Sequence, residues 1–330
     1  MKKILVIRFS SIGDIILTTP VLRCLKQQYP EAEIHFLTKA KFSELLAHNP
    51  YITRIHAISE SVREVADALR SESYDYVVDL HRNLRSSQTK RLLRKPSGTI
   101  RKLNFRKWLL ASFHVNFMPD IHIVDRYFDA VRSLGVNNDN AGLDFLAGQD
   151  STPEWEEKVP DAFRHDVIAL VIGGTYFTKK IPEKLVLEIA SLLKKRVVIL
   201  GGPGEKDEGE RIVSQLGNKA FNACGLLSIG ASAEALRAST AVITGDTGLM
   251  HIASALKKPI VSVWGNTVPA FGMYPYLPGN EHLSFISEVD GLKCRPCSKL
   301  GFEKCPKKHF RCMTEQNVTA IAKFLATSGK

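Results

Sequence analysis

Short unbroken apolar runs recur along this chain, and each is followed by a stretch in which apolar residues return at helical spacing. In the first half the runs predict strands at 4–7, 33–37, 54–58 and 76–80, and helices at 14–28, 42–48, 62–70 and 123–134. The second half repeats the pattern, with strands at 167–172, 196–200, 240–244 and 259–263 and helices at 182–194, 205–216, 231–238 and 247–256. Short strands that alternate with helices build parallel sheets with right-handed crossovers. The segment 148–153 is polar and rich in turn residues, which predicts a linker between domains 1–150 and 151–330. The expected architecture is α/β, two Rossmann-like domains with parallel sheets facing a central cleft and ligands at the carboxyl ends of the strands.

Composition narrows the class. The 330 residues carry a formal net charge of +11, which implies an acidic partner: a phosphorylated substrate, an anionic lipid or a nucleic acid. No apolar run is long enough to span a bilayer, and Met1-Lys2-Lys3 leads directly into the first strand, so a cytoplasmic protein is expected. Six cysteines in that context argue against a disulfide framework.

The chemistry concentrates at strand ends. Thr244-Gly245-Asp246-Thr247-Gly248-Leu249-Met250-His251 lies between an apolar strand and an Ala-rich helix. The first-turn amides of such a helix lack intrahelical partners and carry positive partial charge, so they suit a phosphate. Asp246 can accept hydrogen bonds from sugar hydroxyls; its plainer role is a helix N-cap. Gly173-Gly174-Thr175 follows another strand and lets a backbone approach a pyrophosphate, with Lys179 downstream to balance its charge. For Lys179 the plainer role is a solvated lysine. Glu205, after the turn Gly201-Gly202-Pro203-Gly204, suits ribose hydroxyls or a helix N-terminus. No GxGxxG is present, which disfavours a dehydrogenase.

In the first half, Asp14 ends the stretch Arg8-Phe9-Ser10-Ser11-Ile12-Gly13 after the first strand. A carboxylate there can serve as general base to an acceptor hydroxyl, or only as a first-turn acid. Ser10, Ser11 and Gly13 can bind anions through their amides.

In these segments the chain resembles the ADP-heptose–lipopolysaccharide heptosyltransferases of glycosyltransferase family 9. The resemblance rests on residues 9–20, 79–86, 173–182, 200–205 and 245–255, in order over nearly the whole chain. It implies the GT-B fold and inverting transfer, with no cofactor required for catalysis. It makes Asp14 the catalytic base. Thr175, Lys179, Thr247 and Gly248 become diphosphate contacts, Glu205 the ribose ligand, Asp246 the donor-sugar ligand and Leu227 the adenine contact. Gly174 and His251 fall within the same donor motifs. The implied partners are ADP-heptose, an anionic glycolipid acceptor of the lipopolysaccharide inner core and the cytoplasmic face of the inner membrane.

Residues 80–119 contain no acid but hold Arg82, Arg85, Lys90, Arg91, Arg94, Lys95, Arg101, Lys102, Arg106 and Lys107. As a cluster they suit an anionic glycolipid or membrane surface, and the following Trp108–Phe113 mixes aromatics with charge as interfacial segments do. Arg126 is a further acceptor candidate. Cys294, Cys297, Cys305 and Cys312 in loop 294–312 have the spacing of a structural zinc knot, with His309 as a substitute ligand; reduced thiols or an adventitious disulfide are the alternatives. Two competing readings remain: the same fold using another nucleotide sugar, and a basic, zinc-stabilised nucleic-acid-binding protein. The expectation is an enzyme with no nucleic-acid partner, because the latter reading leaves the Gly-Asp-Thr-Gly segment unexplained.

Overall fold

Ile4, Leu5, Val6 and Ile7 expose no surface, because their strand is covered on both faces at the centre of a parallel sheet. The computed structural model describes residues 1–327, and its chain groups into two units. One comprises Met1–Lys102 with Ile121–Leu146; the other comprises Leu103–Asp120 with Ala147–Lys330.

The first unit runs β1 (Lys3–Ile7), α1 (Ile12–Ile16), α2 (Thr19–Gln28), β2 (Glu33–Lys39), β3 (Arg54–Ile58), α3 (Ala66–Ser71), β4 (Tyr76–Asp79), α4 (Leu84–Leu93) and β5 (Ser97–Thr99). Its five strands pair in parallel in the order β3-β2-β1-β4-β5. Helix α5 (Asn104–Phe113) groups with the second unit, and α6 (Ile123–Tyr127) returns to the first.

The second unit continues with α7 (Ser151–Lys158), β6 (Val167–Val171), α8 (Glu183–Leu192), β7 (Val197–Leu200), α9 (Lys206–Leu216), β8 (Ala220–Asn222) and α10 (Ile229–Ala238). Then come β9 (Ser239–Thr244), α11 (Gly248–Ala255), β10 (Ile260–Trp264), β11 (Ser284–Glu288), α12 (Arg311–Thr314) and α13 (Val318–Thr327). Six parallel strands pair in the order β11-β10-β9-β6-β7-β8. Because every pairing is parallel, the carboxyl ends of each sheet share one edge. The loops after β1 and β4 lie there in the first unit, and those after β6, β7, β9 and β10 in the second.

Several expected elements differ in detail. The helix expected at 14–28 is broken into α1 and α2. Pro20 has no N–H for the Ile16 carbonyl, which instead accepts from the Thr19 hydroxyl at 2.8 Å, while Thr18 bonds back to the Ile15 carbonyl at 2.6 Å. Residues 40–46 form a 3-10 segment rather than an α-helix, and 62–65 wind as 3-10 before α3. The expected linker 148–153 runs into α7, which starts at Ser151 and packs Trp155 into the interior. Among the described residues no helix is long and apolar enough to cross a membrane.

Candidate active-site loops

In the second unit, β9 delivers Asp246 past its carboxyl end. The helix that follows, α11, is capped by Thr247, so Asp246 is not an N-cap. Its carboxylate meets the Lys179 ammonium at 2.6 Å and accepts from the Thr267 hydroxyl at 3.1 Å. Three loops, after β6, β9 and β10, therefore converge on one carboxylate. Gly245 permits this approach: a Cβ there would sit 2.4 Å from the Lys179 carbonyl oxygen, closer than any side chain tolerates. Thr247 has no side-chain cap bond to its helix; its hydroxyl lies 3.0 Å from that of Thr244. The first-turn amides of α11, Gly248 included, have no intrahelical acceptor.

A second charged pair lies beside the first. Lys180 meets Glu205 at 2.6 Å, and the other Glu205 oxygen accepts the Gly202 amide at 2.8 Å. Glu205 thus performs the local helix-start role while also holding a cation. Gly173 packs 3.2–3.3 Å, measured from its would-be Cβ, from Gly201 and the Glu205 carboxylate, which binds the turns after β6 and β7 together.

In the first unit, Asp14 is the third residue of α1. Its carboxylate accepts from the Ser11 amide at 3.1 Å and the Ser11 hydroxyl at 2.8 Å, and pairs with the buried Arg8 guanidinium at 2.6 Å. Arg8 is fixed in turn by the Ser10 and Leu80 carbonyls. Beside it, Asp79 is fully buried at the end of β4 and organises the next loop: it accepts the His81 and Arg82 amides and the Ser86 hydroxyl, and pairs with Lys90 at 3.0 Å. Burial, then the charges of Arg8 and Lys102, push the His81 imidazole down to about 4, so it is neutral at pH 7.

Residues 62–299, most of the chain, match glycosyltransferase family 9 (heptosyltransferase). The chain belongs to glycosyltransferase family 9. It is similar to the lipopolysaccharide heptosyltransferase 1 of Pseudomonas aeruginosa, 24% identical over 321 residues that cover 90% of this chain and 86% of the relative. The solved structure of the Escherichia coli ADP-heptose lps heptosyltransferase II superposes with a TM-score of 0.74 at 18% identity, covering 99% and 98% of the two chains. E. coli heptosyltransferase WaaC with ADP gives 0.69 at 19%, covering 99% of each. At these identities the structures establish the fold: α/β, with the two Rossmann-like halves of GT-B.

As a family 9 glycosyltransferase, the protein gathers Lys179, Asp246, Thr247 and Gly248 at one strand edge, with Glu205 on the neighbouring turn. Gly174 is half-buried against Lys180, whereas Thr175 is exposed and Leu227 half-buried beyond β8. His251 is buried within α11, one turn beyond the loop. In the first unit Ser10 and Ser11 lie in the loop after β1, and Gly13 and Asp14 in the first turn of α1. Arg82 adopts a left-handed backbone beside Asp79, and Arg85 donates to the Glu60 carbonyl at 2.8 Å. Arg126 is buried, and burial lowers its pKa. Arg8, His81 and Lys180 lie within or beside the motifs but were given no role in them, and Thr267 lies outside every motif; what singles out Arg8, Lys180 and Thr267 is a contact with Asp14, Glu205 or Asp246.

The aromatic segment after the basic block forms α5, where exposed Trp108 packs on Phe105 and Phe113 with ring centres 5.8 and 5.1 Å apart. It is tied to the second unit, since Lys107 lies over the Phe271 ring and His114 meets the Arg295 carbonyl at 3.1 Å. In the cysteine loop all four thiols are free, and Cys294 lies 3.8 Å from His309. Burial pushes Cys297 up and Cys312 up to about 12. Among the described residues, ligand atoms that converge to within 4.8 Å belong to His35, His56 and Glu72; the four cysteines do not form such a set in this loop conformation.

Proposed function

We propose that this protein transfers heptose from ADP-heptose, with inversion, to an anionic inner-core acceptor of lipopolysaccharide. The names of its relatives support the sugar and the pathway, and the WaaC structure with ADP supports the nucleotide. The observation that carries the reading on this chain is the Lys179–Asp246 pair at the head of α11. Asp246 holds the lysine ready at a helix N-terminus, where a diphosphate would meet both an ammonium and unpaired amides. The diphosphate then competes for Lys179 and leaves Asp246 free to accept from sugar hydroxyls. As the glycosidic bond to the diphosphate breaks, charge grows on the leaving oxygen, and Lys179 with the Thr247 and Gly248 amides stabilises it. Charge compensation comes from these groups, so the chemistry calls for no metal.

Asp14 takes the proton of the attacking hydroxyl. Arg8 and Ser11 orient that carboxylate. The basic residues around α4, with Arg82 and Arg85, attract the phosphorylated acceptor and the anionic cytoplasmic surface of the inner membrane.

Calorimetry against ADP, UDP and GDP tests the donor. ADP should bind tightest, and Lys179→Ala should weaken ADP by about tenfold or more while sparing adenosine, which carries no charge for the lysine to meet. Preference for UDP or GDP would move the protein to another nucleotide sugar. Equal losses for ADP and adenosine would remove Lys179 from the diphosphate site.

A further inference from the structure

We propose that His35, His56 and Glu72 form a binding site for a divalent transition cation of the zinc class, with the Tyr74 hydroxyl beside it. All three side chains are buried, and one ligand atom from each lies within 4.8 Å of the others. The parallel register creates the arrangement. His56 on β3 pairs with Leu37, two residues beyond His35 on β2, so both imidazoles stand on one face of the sheet. Glu72 and Tyr74 arrive from the turn that precedes β4.

The spacing suits a tetrahedral ion. Nε2 of His56 lies 3.4 Å from Nδ1 of His35. Nitrogens bound to zinc at about 2.0–2.1 Å in tetrahedral geometry stand about 3.3–3.4 Å apart. The Tyr74 hydroxyl is hydrogen-bonded to both of these nitrogens, 2.9 Å from each. In the hydrogen-bonded network one imidazole donates to Tyr74 and the other accepts from it. A change of tautomer frees the donating nitrogen without net loss of a proton.

The carboxylate is the third ligand. Glu72 is paired with Lys3 at 2.6 Å and with Arg54. Both cations compete with a metal, yet the Lys3 and Arg54 side chains are 27% and 59% exposed and can swing to solvent. Glu33, 3.3 Å from Lys3, offers that lysine another partner. The site sits toward the amino ends of the strands, away from the loops that carry Asp14 and Asp79. Its role is therefore a clip that ties β2 and β3 to the turn before β4, independent of the transfer chemistry.

The test uses the full chain, stripped with a chelator and titrated with cobalt(II) and then zinc(II). The expected result is one equivalent of cobalt with visible d–d absorption and no thiolate charge-transfer band, retained in a Cys294→Ser/Cys297→Ser variant. Zinc should raise the wild-type melting temperature, since it binds only the folded site. His56→Gln and Glu72→Gln should each weaken binding by at least the roughly 10- to 100-fold seen when a mere supporting partner of a metal site is lost. ADP binding should be unchanged in both. Binding only with a thiolate band that the cysteine variant abolishes would overturn the proposal. Wild-type cobalt affinity in the two ligand variants would do the same, as would no cobalt uptake by natively folded wild-type protein. If the ligand variants fail to fold, the wild-type and cysteine-variant spectra alone decide.

Discussion

Gly245→Ala adds one methyl group and should disable the donor site. The backbone at Gly245 is not left-handed, so alanine meets no conformational penalty there and the effect is purely steric. The new Cβ would lie 2.4 Å from the Lys179 carbonyl oxygen. Contacts under 3.0 Å are essentially never tolerated, so the two backbones must part by at least 0.6 Å. Neither is a flexible side-chain tip that can turn away. The strain should cost about 1–3 kcal/mol of stability, in the usual range for an overpacked site. The part that moves carries the Lys179 ammonium, now 2.6 Å from Asp246. A displacement approaching 1 Å in positioned groups costs on the order of 100-fold in rate. ADP affinity should fall about tenfold, or about 1.4 kcal/mol. Urea denaturation measures the stability loss, steady-state transfer the rate, and calorimetry with ADP and adenosine the affinity. Adenosine should be affected less than ADP, because the shift acts on the charge and not on the base. A Gly245→Ala protein with wild-type ADP affinity and turnover would show that the loop yields without moving Lys179, or that Lys179 does not meet the diphosphate.

Other outcomes follow from the same geometry. Asp14→Asn keeps the Ser11 contacts but cannot accept the proton; turnover should fall about 100-fold or more with ADP affinity unchanged, and near-normal turnover in a single-turnover assay would remove Asp14 from the chemistry. Reversing Arg82, Arg85 and Arg91 to Glu should raise the acceptor KM and reduce sedimentation with anionic liposomes while ADP binding holds, and wild-type liposome binding should weaken as salt rises; an unchanged acceptor KM would leave the block as a solvated face. His81 stays neutral in the fold down to about pH 4, whereas its unfolded value is near 6.5. Between those values the unfolded chain binds the extra proton, so stability should decline as pH falls through this window, and His81→Gln should flatten that part of the curve. An identical pH–stability profile in the variant would show that His81 is not buried away from its proton.

The sequence by itself determined the central strands and the loops that end them. Runs such as Ile4–Ile7 and residues 167–171 are apolar without alternation because helices cover both faces, and that pattern is visible without coordinates. Glycines at 173, 201 and 245 mark close backbone approaches, and acids at 14, 205 and 246 mark the helix starts beside them. The edge strands β5, β8 and β11 were not legible, since Ser97-Gly98-Thr99 or Ser284–Glu288 is half exposed and carries no apolar run. The division of labour among the acids was not legible either. Asp14 and Glu205 bond their own helix starts, a local matter. Asp246 does not, because Lys179 and Thr267 reach it from two other loops, and the clustering of His35, His56 and Glu72 likewise depends on register. Local capping depends on neighbours three residues away, which a sequence displays. A charge pair between loops depends on the order in which strands pair, and strand order is set by packing the whole sheet.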